Sequence, residues 1–375
     1  MKIALQRCDR FVARTMNWMY DHLLTVPRFR PLVLADELQN REEFPALDVM
    51  AWSREQLPQR VWRRLRGPSL YPPDRARLRR LRPSVLHSHF GYVAVGDHGL
   101  QEALEVPWIV GFYGADAFEL PRDPAWIERY HQLFERVSRV LVLGPFMAGE
   151  LEKLGCPPDL IRVHPLGVDT EGIPMRPREL APGEPLRILF AGTFREKKGI
   201  PYLLEALGEL KQEGVAFTLD LVGDAAGKPG DEETKRQVLG MVDQLDLADR
   251  VRRHPFLPFA ELLDLALTRH VLVAPSVTAS DGDSEGTPFI IQQLMASGMP
   301  VVSTRHSDIP FLFGSMASRL APERDAPALA AELRRYATDP ESLLEDGKAL
   351  RRQVEVNLDA RRRGEALAAI YDEVS

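Results

Sequence analysis

One glutamate, Glu285, stands just ahead of a helix signal in the stretch SDGDSEGTPFIIQQLMASGMPVVST, residues 280–304. Upstream, HVLVAPS has the unbroken apolar run of a buried strand, so the acidic loop VTASDGDSEG follows a strand's carboxyl end. In open α/β sheets that edge is where ligands bind. Thr287 suits an N-cap and Pro288 the first helical position, where a missing N–H costs nothing. Ile291, Leu294 and Met295 supply the apolar stripe, and Gly298 with Pro300 ends the helix. The unbonded N–H groups of the first turn, from Phe289 onward, face back over the loop and with the helix dipole make a phosphate site. Phe289 and Gln293 lie one turn apart on one face. A nucleoside diphosphate laid along that face would put its phosphates at the helix start and its ribose near Gln293. Glu285 would then address whatever the terminal phosphate carries. The plainer reading makes Glu285 a carboxylate that only complements the dipole, and Gln293 a surface helix residue.

Other chemistries fit less well. The tripeptide Asp281–Gly282–Asp283 has the spacing of a paired-aspartate metal motif, but it lies in this loop and reads as a loop feature or a sugar-hydroxyl contact, with no metal expected. His87, His89, His131 and His164 lack metal-ligand spacing, and no cysteine completes a set. No Gly-x-Ser-x-Gly elbow or phosphate-binding GxxxxGK[ST] loop occurs, which removes the usual hydrolase and P-loop readings.

These residues need strands and helices to hold them, and the chain offers an alternating series. Apolar strand patterns (KIALQ, PLVLA, ALDVMAW, SVLHSHF, WIVGFY, RVLVLG) alternate with helical periods such as FVARTMNWMYDHLL and PAWIERYHQLFERV. A Pro/Gly/Arg-rich stretch at about 174–185 interrupts the series, which restarts at LRILFAG and continues through FTLDLVG, VRRHPF, HVLVAPS and PVVST. Two Rossmann-like α/β halves are the simplest account of 375 residues. Only Cys8 and Cys156 are present, so no disulfide framework is expected and a cytoplasmic setting fits. The opening MKIALQRCDRF reads as a first strand rather than a signal peptide. A net charge of −6 argues against a dedicated nucleic-acid binder. Within that average, Arg60 to Arg82 is dense in arginine with Trp62, Leu65, Leu70 and Tyr71 interleaved. It is either a solvated helix pair or a patch for an anionic membrane face or acceptor.

Five segments in order resemble the GT-B glycosyltransferases of family 4. EGTPFIIQQLMASGMPVVST resembles the family's signature helix, and RILFAGTFREKKGIPYLLEAL its strand and lysine loop. RVHPLGVDTEGI resembles the interdomain hinge, while HSHFG and FYGAD resemble two amino-terminal loops that meet the donor sugar. The flavour is closest to bacterial enzymes of exopolysaccharide and colanic-acid-like assembly. The resemblance implies an acceptor-binding domain at 1–175, a nucleotide-sugar domain at 176–355 facing it across a cleft, and a last helix at 356–375 that crosses back onto the first domain. It implies transfer of a sugar, with retained configuration and no metal or other cofactor, from a UDP- or GDP-sugar to a hydroxyl of a glycan or lipid-linked acceptor at the cytoplasmic side of the membrane. Lys198 matches the phosphate-binding lysine, and Glu285 the glutamate that contacts the donor sugar. Gly192, Thr193, Arg195, Gly223, Asp224, Phe256, Gly286, Thr287, Pro288, Phe289, Ile290 and Gln293 fall on donor-binding positions. Tyr113 and Asp116 fall near the sugar site, and His89, Phe90 and Gly91 in an acceptor-side loop. His89 is either a loop-orienting histidine or a base.

Three positions depart from that pattern. Thr193 stands where the family has an arginine, Gln293 where it has a second glutamate, and Tyr113 where it has a histidine. Gln293 still bonds a ribose hydroxyl, at roughly 1 kcal/mol less than a charge-assisted contact. These departures leave two alternatives open: a silent partner or sensor that binds a nucleotide sugar, and a nucleotide-sugar 2-epimerase-like enzyme.

Overall fold

In the computed structural model, residues 1–12, 17–40, 42, 44, 47–51, 61, 62, 64 and 72–375 are described. The chain divides into one unit of Met1–Gly167 with Ala360–Ser375, and a second of Val168–Asp359.

The first unit carries seven parallel strands: β1 (Lys2–Phe11), β2 (Phe29–Leu38), β3 (Asp48–Ala51), β4 (Val85–His89), β5 (Trp108–Gly111), β6 (Arg139–Val142) and β7 (Ile161–Val163). Their order is β3-β2-β1-β4-β5-β6-β7, so the direction of winding reverses between β1 and β4. Burial on both faces explains their continuous apolar runs; all five residues of β4 and all four of β5 are buried. β1 runs further than KIALQ suggests. Cys8 and Phe11 are buried, and Phe11 still pairs with Leu38 of β2. Phe11 therefore belongs to β1 rather than to the helix expected from it, and the described helix spans Asn17–Leu24. β7, with three residues in the hinge-like IRVHPLG, is too short to show a strand pattern.

The helix Ala360–Val374 belongs to this first unit. Its Leu367, Ala368 and Tyr371 pack with Ala4, Phe29, Val85, Ile109 and Leu141. The Tyr371 hydroxyl accepts from Gln6 Nε2 at 3.1 Å and lies 2.8 Å from His87 Nδ1.

The second unit holds β8 (Leu186–Ala191), β9 (Phe217–Val222), β10 (Val251–His254), β11 (Val271–Ala274) and β12 (Val301–Ser303), all parallel, in the order β10-β9-β8-β11-β12. The winding reverses between β8 and β11. The loops leaving the carboxyl ends of those two strands are the lysine loop and the glutamate loop, so the switch point of the topology brings them side by side. Among the described residues no helix is long and apolar enough to cross a membrane. Of the arginine-dense Arg60–Arg82 segment, most of 60–71 lies outside the described residues. Its remainder forms a helix, Pro72–Leu81, with its basic residues largely exposed.

Candidate active site

In the second unit the two loops are knitted by backbone. Val277 N–H donates to the Lys197 carbonyl at 2.9 Å. Gly199 turns the lysine loop at φ +64°, and a Cβ there would stand 1.9 Å from the Pro275 carbonyl oxygen. Gly223, at φ +133°, lies as close to the Gly192 carbonyl, where a Cβ would come within 1.8 Å. Only glycine fits either place. Gly199→Ala should therefore force the loops apart. We expect a thermal midpoint lower by several degrees and loss of diphosphate binding, read together by calorimetry.

Across that seam the charged side chains interlock. Lys198 Nζ lies 3.1 Å from Glu285 Oε1, and Lys197 Nζ lies 3.4 Å from the same oxygen. Lys197 also donates to Asp283 Oδ1 at 3.0 Å and to the Ser284 carbonyl at 3.2 Å. Arg195 donates to Asp283 Oδ2 at 2.6 Å, with Asp231 3.6 Å from its Nε. The Glu285 Oε1 contacts are ionic only, since none reaches hydrogen-bond alignment. Burial on its own would raise the Glu285 carboxyl, but Lys197 and then Lys198 outweigh it and hold the group well below the usual carboxylate range. Lys197 shows the mirror effect. Burial lowers it, while Glu285 and Asp283 raise it above an ordinary lysine. Both groups are charged at neutral pH.

Asp283 is thus more than a loop feature. Its side chain is fully buried, and its two oxygens are each occupied by a cation of the lysine loop. The Glu285 amide donates to His306 Nε2 at 3.0 Å. That makes His306 Nδ1 the protonated nitrogen, 2.6 Å from Glu323 Oε1. Glu323 in turn accepts from the Thr278 amide at 2.9 Å. Lys197, His306 and Glu323 were not singled out from the sequence, and Asp283 was read only as part of the Asp281–Gly282–Asp283 loop. The doubled lysine of REKKG and the SDGDSE loop were the only local signals.

The signature helix spans Phe289–Ala296, one residue later than expected, with Pro288 as its cap and no side-chain cap. Pro288 keeps an extended ψ of 115° while its carbonyl accepts from Ile291. Thr287 is therefore a residue too early to cap, and its buried hydroxyl has no partner. The amides of Phe289 and Ile290 precede the first intrahelical bond. Gln293 is 6% exposed, and Gln292 is wholly buried with both amide atoms unpartnered. Gly192 donates to the Val222 carbonyl, and the Lys198 stem runs alongside it. Thr193 accepts from the Arg195 amide at 3.0 Å, and Phe194 donates to the Asp224 carbonyl at 2.9 Å. Asp224 is paired with Lys235 at 2.5 Å, and Phe256 is 45% exposed. Glu285 and Gly286 lie in the loop ahead of this helix, and Phe289 and Ile290 are its first two residues.

The remaining candidates gather in the first unit at its own switch point. Phe90 and Gly91 follow β4, and Tyr113 and Asp116 follow β5. Asp116 is fully buried and accepts from the amides of Gly91 at 2.9 Å, Tyr113 at 3.0 Å and Gly114 at 2.9 Å. Its carboxylate is spent on fixing the two loops. The Tyr113 hydroxyl lies 2.7 Å from His89 Nδ1, and His89 Nε2 lies 2.9 Å from Gln6 Oε1. An amide oxygen only accepts, so Nε2 carries the hydrogen and Tyr113 donates to Nδ1. Burial, then His22, push His89 down to about 3, which makes it neutral and a poor base. It orients the loop.

Three more buried histidines share this state. Burial lowers His22 to about 4, and lowers His87 and His164 well below their ordinary value. Their folded values lie below the unfolded one, so the unfolded chain takes up protons first. The stability they contribute is complete above about pH 6.5 and is lost as pH falls through their lowered folded values, about 4 for His22. Asp97, which burial raises to about 6 against the pull of Arg7, works in the opposite sense over pH 4–6. The histidines outnumber it, so the urea midpoint should fall from pH 7 to pH 5, His22 alone accounting for roughly 2 kcal/mol. A flat midpoint would contradict this.

The family described as Glycosyl transferases group 1 matches residues 185–339, and that described as Glycosyltransferase Family 4 matches residues 28–172. The chain is 35% identical over 278 residues to the putative colanic acid biosynthesis glycosyltransferase WcaL of Escherichia coli K12, covering 73% of this chain and 66% of that protein. It is 32% identical over 290 residues to the amylovoran biosynthesis glycosyltransferase AmsK of Erwinia amylovora, covering 76% and 69%. The chain thus spans about two thirds of the length of these curated relatives. Among solved structures, Anabaena HepE in complex with UDP superposes with a TM-score of 0.76 at 16% identity over the full length of both chains. Its complex with UDP-glucose gives 0.74 at 14% identity over 99% of each.

Proposed function

The chain belongs to glycosyltransferase family 4 and has its GT-B fold, and from that premise we propose that it moves a sugar from a nucleotide-diphosphate donor to a hydroxyl of a growing bacterial exopolysaccharide or its lipid-linked precursor. The observation that carries this is the Lys198–Glu285 pair at 3.1 Å, set beside the open amides of Phe289 and Ile290 at the switch point of the second sheet. A lone carboxylate here would be repelled by a diphosphate. Two lysines offset that repulsion and supply positive charge where the leaving group gathers negative charge.

In this reading Lys198 exchanges Glu285 for the terminal phosphate, while Lys197 stays with Asp283 and Glu285. The Phe289 and Ile290 amides complete the phosphate cradle. Glu285, held ionised and pinned through its own amide to His306, accepts hydroxyls of the donor sugar beside the reacting carbon. Gln293 bonds the ribose. No covalent nucleophile is required, and the donor configuration is retained. The relatives named for colanic acid and amylovoran assembly point the acceptor toward a polysaccharide repeat, and HepE, solved with UDP and UDP-glucose, points the base toward uridine.

A thermal-shift panel of UDP, GDP, ADP, CDP and dTDP, with and without Mg²⁺, tests the reading. One diphosphate at about 100 times its dissociation constant should add ~2.7 kcal/mol, without metal. No shift with any of them at millimolar concentration would refute donor binding and leave a silent partner of the same fold.

A further inference from the structure

We propose that the second unit has a further anion site, for a phosphate or phosphate ester, at the amino edge of its sheet and remote from the donor loops. A cavity of about 480 Å³ opens there, lined by Arg176, Arg178, Arg187, Arg269 and His270. That volume lies in the range of small-molecule pockets and exceeds what a lone orthophosphate fills. Arg187 is the second residue of β8, and His270 immediately precedes β11. The lysine loop leaves the opposite end of β8, so the six-residue strand sets the two sites about 20 Å apart.

The charge balance makes the case. Arg187 is paired with Glu184, and Arg269 with Asp220. Arg178 and Arg176 have no carboxylate partner among the described residues, although Glu179 lines the same cavity. Arg178 is 3% exposed, yet its bonds go only to neutral oxygens: the carbonyls of Arg176, Ser297 and Ala266, and the Ser297 hydroxyl at 3.0 Å. The Ala266 and Ser297 oxygens lie at the ends of the helices Phe259–Ala266 and Phe289–Ala296, so capping, with the Arg176 carbonyl, accounts for the two terminal nitrogens. It leaves Arg178 Nε–H buried with no acceptor. A buried charged donor without an acceptor is costly, and an oxyanion satisfies it.

The arginines also repel one another. Burial, then Arg176, lower Arg178 to about 10, and burial, Arg269 and Arg176 lower Arg187. Arg176 is exposed at the rim, with its guanidinium unpaired among the described residues. His270 Nδ1 accepts the Arg187 amide at 3.0 Å, so Nε2 carries the hydrogen, 3.9 Å from Glu184 Oε2. A tetrahedral dianion seated between Arg176, Arg178 and Arg187 relieves the repulsion and brings negative charge to two arginines that no carboxylate offsets among the described residues. A sugar ester would use the remaining volume.

Isothermal titration with inorganic phosphate, and separately with a hexose 1-phosphate, at ionic strength matched with chloride, tests the site. Arg176→Ala should weaken both titrations about tenfold, and Arg176→Ala with Arg187→Ala should weaken them further. Lys198→Ala, which alters only the donor loops, should leave the Arg176-dependent component of both titrations in place. Tighter binding of the ester than of phosphate would identify a sugar phosphate as the occupant, and equal binding would identify free phosphate. The proposal fails if neither binds at about 10 mM, or if Lys198→Ala abolishes binding and Arg176→Ala does not.

Discussion

Lys198→Ala should reduce affinity for the cognate nucleoside diphosphate by roughly 30- to 150-fold, the 2–3 kcal/mol typical of a charge-assisted contact to phosphate. The effect should be local. Glu285 remains 3.4 Å from Lys197, whose positive charge Glu285 and Asp283 stabilise, so the carboxylate is not stranded. The unliganded thermal midpoint should move by no more than a degree or two, while the ligand-induced rise largely vanishes. Lys198→Arg should recover part of the affinity, because charge is kept but a planar fork replaces a compact ammonium on a loop fixed by Gly199. Unchanged diphosphate affinity in the alanine variant would place the phosphates elsewhere.

Glu285→Gln should separate chemistry from binding. Its side chain nearly preserves volume and removes the charge that faces the donor sugar. Turnover should drop by about 100- to 1,000-fold, as for loss of one preorganised electrostatic contact. Diphosphate affinity should stay within about threefold or rise slightly, since a negative neighbour of the phosphates is gone. Release of nucleoside diphosphate from the sugar nucleotide measures the first, and calorimetry the second. The two lysines hold the Glu285 carboxyl below the ordinary range, so its contribution to stability is present above the unfolded carboxylate value and lost only in stronger acid. An acid limb in the rate near neutral pH must then come from another group. Full turnover in the glutamine variant would remove Glu285 from the reaction.

The strand alternation and the two-sheet class were legible, because burial on both faces writes itself as continuous apolar runs. Glu285 was legible because a glycine, a threonine and a proline mark the helix start beside it. Its supports were not. His306 reaches it from twenty-one residues downstream, and Glu323 stands behind His306. Pairings at that separation leave no local period. Asp283 shows the same limit: its spacing suggested a loop feature, while its role comes from cations eighty-six and eighty-eight residues away. Tyr113 and Asp116 were picked out only by resemblance, and only coordinates show that they follow β5 with their polar atoms turned inward to His89 and to three amides.

The first unit is interrupted by the second, and that order has a consequence for synthesis. Residues 1–167 leave the ribosome early, but Tyr371, which satisfies Gln6 and His87 and packs with Phe29 and Ile109, is made only after residues 168–359. Residues 168–359 take roughly 10–40 s to add at usual elongation rates. For that interval the earlier half waits with an open seam beside β1 and β4, while the later half has everything it needs to close. The chain therefore matures out of order, its second unit finished before its first.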